Sequence, residues 1–155
     1  MAQQIKLTVN GELCEVSVEP WETLLEVLRD RFGLTGVREA CGRGDCGSCT
    51  VILEGKVVDS CLVLAVDTRD KEVLTIEGLG KGGKLHPIQE AFIEHGAIQC
   101  GFCTPGMILS AKALLDENPS PTEEDVREAI VGNLCRCTGY NKIVEAILEA
   151  AGKRS

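Results

Sequence analysis

From Ile5 to Val18 the chain reads IKLTVNGELCEVSV, two runs of alternating apolar and polar residues on either side of Asn10-Gly11. A period of two marks strands with one buried face, and Asn-Gly is the preferred pair for a two-residue type I′ turn. The turn sets the register. Val9 falls opposite Glu12 and Leu7 opposite Cys14, which puts Cys14 on the face shared by Ile5, Leu7, Val16 and Val18 and makes it a core residue. Beyond the hairpin the period lengthens: Thr23 and Glu26 have capping-box spacing, and Leu24, Leu28 and Phe32 recur every four residues until Gly33 closes the helix. Two more strand-like stretches follow, TVILEGKVVD around a Glu54-Gly55 turn and EVLTIEGL. A hairpin, a helix across it and further strands are the order of a β-grasp fold.

The pattern changes at GLGKGGK, residues 78–84, where four glycines in seven residues interrupt all apolar periodicity; this stretch reads as a flexible linker. Downstream the punctuation is helical. His86-Pro87 suits a helix start and Gly96 an end, Thr104 precedes a proline in a first turn, Thr122 with Asp125 caps a third helix, and Tyr140 to Ala150 forms a fourth. The expected fold class is α+β: a β-grasp domain over residues 1–77, the linker, and a four-helix domain over residues 85–155.

Composition narrows the function. The chain has 155 residues, 44% hydrophobic and 26% charged, enough for one ordinary domain or two small ones. No apolar run approaches the roughly 18 residues that span a bilayer. The opening MAQQIKLTV enters the first strand without the basic start and apolar block of a secretory signal, so the expected location is cytoplasmic. A formal charge of −8, with the acids scattered, argues against nucleic acid. Nine cysteines are an odd number for a closed disulfide framework and too many for inert thiols, which leaves metal as the first reading.

Eight of the nine fall into two sets. Cys41, Cys46, Cys49 and Cys61 are spaced C-x4-C-x2-C-x11-C, the first three within CGRGDCGSC, and C-x4-C-x2-C is the opening of plant-type [2Fe-2S] sites. Zinc more often takes two CxxC knuckles and needs no wrapped loop. Gly42, Gly44 and Gly47 decide for the cluster, because they let backbone N–H groups curl closely around the charge of thiolates and bridging sulfides. Cys100, Cys103, Cys135 and Cys137 form C-x2-C-x31-C-x-C, with the first pair at a helix entry whose free N–H groups favour an anion. Cys14 is left for the core. No catalytic group accompanies the cysteines. His86 and His95 read as a helix start and a solvent-facing residue, Ser48 and Thr50 lack a base, and the glycine-rich loops lack the Lys-Ser/Thr ending of a P-loop. Two redox sites without a substrate site point to a relay.

CGRGDCGSC with Cys61, QCGFCTPGM, NPSPT and GNLCRCTGY, in this order over almost the whole chain, resemble the iron-sulfur subunit of the xanthine oxidase family of molybdenum hydroxylases. The resemblance implies one [2Fe-2S] cluster in the β-grasp domain on Cys41, Cys46, Cys49 and Cys61, and a second in the helical domain on Cys100, Cys103, Cys135 and Cys137. It further implies a large partner subunit with a molybdenum-pterin cofactor, approached by Gln99 and Cys137, and a medium FAD subunit, in a heterotrimer or its dimer. Electrons then pass from the pterin site through the helical-domain cluster and the β-grasp cluster to FAD or another acceptor. The alternatives are a free-standing two-cluster ferredoxin or redox sensor, and a zinc-binding interaction module.

Overall fold

The structure is a computed structural model and describes residues 1–153. Its first half is a five-stranded sheet of order β2-β1-β5-β3-β4, built from β1 (Gln3–Val9), β2 (Glu12–Val18), β3 (Thr50–Leu53), β4 (Lys56–Asp59) and β5 (Glu72–Leu74). Among the described residues only the central β1–β5 pair is parallel. The hairpin register is the one the turn demands, with Val9 opposite Glu12 and Leu7 opposite Cys14, and Asn10 and Gly11 both take positive φ. The Glu54-Gly55 turn joins β3 to β4 in the same manner.

Cys14 departs from its expected place. Because β2 is the edge strand, Cys14 is half-buried; it packs against the core from one side and lines a surface cleft with Phe32, Leu34 and Gly80. The helix after the hairpin also differs. It opens as α1 (Leu24–Glu26) with the Thr23–Glu26 capping box in place, then widens into a π-helical turn over Val27–Arg31, where the Phe32 N–H bonds the Val27 carbonyl. An apolar repeat of four does not distinguish the two windings over so few residues. Leu24, Leu25, Val27 and Leu28 are buried either way, beside Ile5, Leu7, Val18, Val51 and Val73 in the first core.

The second half holds four helices: α2 (Pro87–Glu94), α3 (Thr104–Glu117), α4 (Glu123–Ala129) and α5 (Asn141–Gly152). His86 caps α2, its Nδ1 accepting from the Ile88 N–H, and Thr122 caps α4 through a capping box with Asp125. The N-cap position of α3 is Cys103, so Thr104 and Pro105 are the first two helical residues. The apolar faces of these helices enclose a second core around Ile88, Phe92, Met107, Leu115, Ile143 and Ile147. The glycine-rich stretch is folded: Lys81 and Lys84 exchange two backbone hydrogen bonds across Gly82-Gly83, and Leu79 is buried in the helical core. Helix α3 also runs against β3, bringing the two cores side by side. Among the described residues, no helix is long and apolar enough to cross a membrane.

Candidate metal centres

The loop between Val37 and β3 forms no helix or strand, and several of its amides turn toward sulfur instead. Gly42, Gly44 and Gly47 all have positive φ, and the loop turns around its cysteines. The N–H groups of Arg43 and Asp45 donate to Cys41 Sγ at 3.5 and 3.3 Å, and the Ser48 N–H donates to Cys46 Sγ at 3.5 Å. The Arg43 and Asp45 amides, with Cys46 beside it, draw the Cys41 thiol down to about 7, a shift toward the thiolate that a metal requires. Cys49 lies deeper, and burial pushes it up to about 12; Cys61, brought back by β4, is its neighbour. Buried without a metal, Cys49 would hold its proton.

The second set stands on the helical half. Cys103 caps α3 and is pushed up to about 12 by burial, with Cys135 beside it. Burial also opposes charge on Cys135, yet the Thr138 hydroxyl at 3.0 Å and amide at 3.4 Å hold its thiol below the ordinary value. The Tyr140 hydroxyl accepts from the Cys135 N–H at 2.9 Å, with Tyr140 itself in the left-handed region ahead of α5. Cys100 and Cys137 are exposed, their sulfurs 3.5 Å apart, and the Phe102 N–H lowers Cys100.

The sulfurs therefore meet two by two: Cys41 with Cys46, Cys49 with Cys61, Cys100 with Cys137, and Cys103 with Cys135. Among the described residues, no three His, Cys, Asp or Glu side chains converge on a single metal ion. Paired thiols fit a binuclear cluster, in which each iron takes two thiolates and shares two bridging sulfides with the other. The amide and hydroxyl donors supply the hydrogen bonds that such an anionic group needs. Gln99 is exposed beside Cys100, on the same open edge as Cys137.

The two sites adjoin through backbone. The Leu134 N–H donates to the Cys46 carbonyl at 2.9 Å, so a residue next to one site is bonded to a cysteine of the other. Arg38 spans the same junction, donating to the Gly101 carbonyl at 2.5 Å and lying over the Phe102 ring at 5.3 Å. Sequence reasoning did not single out Arg38, Ser110 or Asn133. Their partners are 63, 23 and 86 residues away, so no local pattern marks them.

Two tandem cluster-binding domains are what comparison with known proteins returns. Residues 7–75 match the family model described as a 2Fe-2S iron-sulfur cluster binding domain, and residues 75–148 match that of a [2Fe-2S] binding domain. The chain is 52% identical to the nicotinate dehydrogenase small FeS subunit of Eubacterium barkeri, over 92% of this chain and 91% of that one. It is 45% identical to the xanthine dehydrogenase iron-sulfur-binding subunit of Escherichia coli O157:H7, over 94% and 92%. The solved structure of quinoline 2-oxidoreductase from Pseudomonas putida 86 superposes with a TM-score of 0.95 at 45% identity, over 98% of this chain and 94% of that one. The chain belongs to the iron-sulfur subunits of the xanthine oxidase family of molybdenum hydroxylases.

Proposed function

We propose that this chain is the electron-transfer subunit of a molybdenum hydroxylase, with Cys41, Cys46, Cys49 and Cys61 as ligands of one [2Fe-2S] cluster and Cys100, Cys103, Cys135 and Cys137 as ligands of the other. The observation that carries the reading is the pairing of the eight sulfurs, Cys41 with Cys46, Cys49 with Cys61, Cys100 with Cys137 and Cys103 with Cys135. When bound, each cluster supplies a one-electron redox centre. The protein's own residues do the rest. Amides of Arg43, Asp45 and Ser48 and the Thr138 hydroxyl stabilise thiolate charge, while the buried Gly47–Thr50 segment keeps water from the face between the sites.

The exposed edge formed by Gln99, Cys100 and Cys137 faces a large subunit carrying the molybdenum-pterin cofactor. Ile98, Phe102 and Leu134 are exposed apolar residues around that edge, the material of a permanent interface. The exposed loop Gly42–Asp45 lies toward an FAD subunit, and the whole is a cytoplasmic heterotrimer or its dimer. No substrate site is expected on this chain. Cys46→Ser and Cys135→Ser, examined by EPR in the reduced complex, test the assignment. Each should abolish one of two distinguishable signals and leave the other; loss of both in a folded variant would mean that the ligand sets are drawn wrongly.

A further inference from the structure

The junction between the two halves is packed backbone to backbone. A Cβ on Gly106, in the first turn of α3, would come within 2.3 Å of the Gly47 carbonyl oxygen, and one on Gly47 would come equally close to the Gly132 oxygen. Into this seam projects the amide side chain of Asn133, only 4% exposed. Its Nδ2 donates to the Gly47 carbonyl at 3.1 Å and to Thr50 Oγ1 at 3.2 Å, and its Oδ1 accepts from Ser110 Oγ at 2.7 Å. Thr50 and Ser110 are themselves buried, so the amide is satisfied entirely by protein groups from β3, the first cysteine loop and α3. A buried network of this kind fixes one alignment, because any sliding leaves polar atoms unpaired. The next residue after Asn133 is Leu134, whose N–H holds the Cys46 carbonyl.

We propose that Asn133 is a positioning residue for electron transfer: its amide clamps the Cys46–Thr50 segment to α3 and so sets the separation and orientation of the two thiolate sites. The inference rests on the function proposed above. The step served is the passage of one electron, supplied by the reducing partner subunit, from the Cys135 side to the Cys46 side; one site is oxidised and the other reduced by one electron, and no bond forms or breaks. Asn133 touches no sulfur, so its effect is geometric.

The test uses the full iron-loaded chain. In N133D the shape is kept, but a carboxylate oxygen that cannot donate faces the Gly47 carbonyl. Hydrogen exchange at the Leu134 amide should accelerate about tenfold or more, as expected when a local clamp opens. The magnetic splitting between the two reduced centres should change, while the g-values of each centre and the iron content do not. S110A, which removes one partner on α3, should give a smaller change in the same direction. I147V, in the helical core on α5, which packs on α2 and α4, should lower stability and move neither readout. Wild-type splitting and exchange in a loaded N133D, or equal changes in I147V, would overturn the proposal; if N133D does not fold, wild-type values in S110A overturn it. Should the wild-type chain bind no iron, the electron-transfer reading fails, while Leu134 exchange in the variants still decides whether Asn133 clamps the seam.

Discussion

Gly47 and Gly42 share a loop and a positive φ, yet alanine should be tolerated at one and not at the other. Both replacements place a Cβ in the left-handed region, which costs about 1–2 kcal/mol. At Gly42 that is nearly the whole cost, because the closest atom to the new Cβ is a Glu39 side-chain oxygen at 3.7 Å. At Gly47 the Cβ meets the Gly132 carbonyl oxygen at 2.3 Å and Asn133 Nδ2 at 2.6 Å. The first is backbone and cannot swing aside, and the second is held by its hydrogen bonds, so the seam has to open. Overpacking of about 1–3 kcal/mol and part of a buried hydrogen-bond network are then added to the strain, for a total of about 3–5 kcal/mol. Native domains have only about 5–15 kcal/mol to lose. Thermal unfolding of the iron-loaded variants, followed by far-UV circular dichroism and visible absorbance, should place Gly47→Ala about 10 °C below wild type and Gly42→Ala within about 5 °C. Equal midpoints for the two variants would refute the argument that the seam, rather than loop conformation, makes Gly47 necessary.

Three further outcomes are expected. Cys14→Ala should retain full iron content and lose about 1 kcal/mol or so by denaturant titration, since the thiol is half-buried at the sheet edge; loss of iron would redraw the ligand sets. Glu22 is held below its ordinary 4.5 by the Glu19 N–H and Arg31, so its contribution to stability is complete above that value and disappears as pH falls through the lower folded pKa; Glu22→Gln should flatten that part of the stability–pH curve, and an unchanged curve would sink the assignment. Gln99→Ala should slow reduction of the clusters by substrate in the complex, measured by stopped flow, with both EPR signals intact.

The parts of the fold governed by neighbours in sequence were legible before the structure. Asn10-Gly11 imposes its register on Leu7 and Cys14, and the Thr23–Glu26 and Thr122–Asp125 pairs cap the starts of their helices. Cysteine spacing divided the eight into two sets, and the structure shows neighbours within them, such as Cys49 with Cys61 and Cys100 with Cys137. What escaped depends on tertiary neighbours. Cys14 alternates correctly, but only strand order shows that β2 is an edge. The π-helical turn after Glu26 fits the same apolar repeat as an α-turn. The glycine-rich stretch has no periodicity, yet its Leu79 is captured by helices that begin later in the chain. Asn133 carries no mark of burial in GNLCRC, because its partners, Gly47, Thr50 and Ser110, lie on three other segments.

Metal and sulfide analysis of the affinity-tagged chain, purified without oxygen from its own host, shows whether it carries two [2Fe-2S] clusters within a molybdenum enzyme. The expected result is about four iron and four acid-labile sulfide per chain, since each site needs its own four thiolates, with stoichiometric molybdenum and flavin in the same fractions. Zinc without sulfide, or a chain that elutes alone and fully loaded with iron, would contradict it.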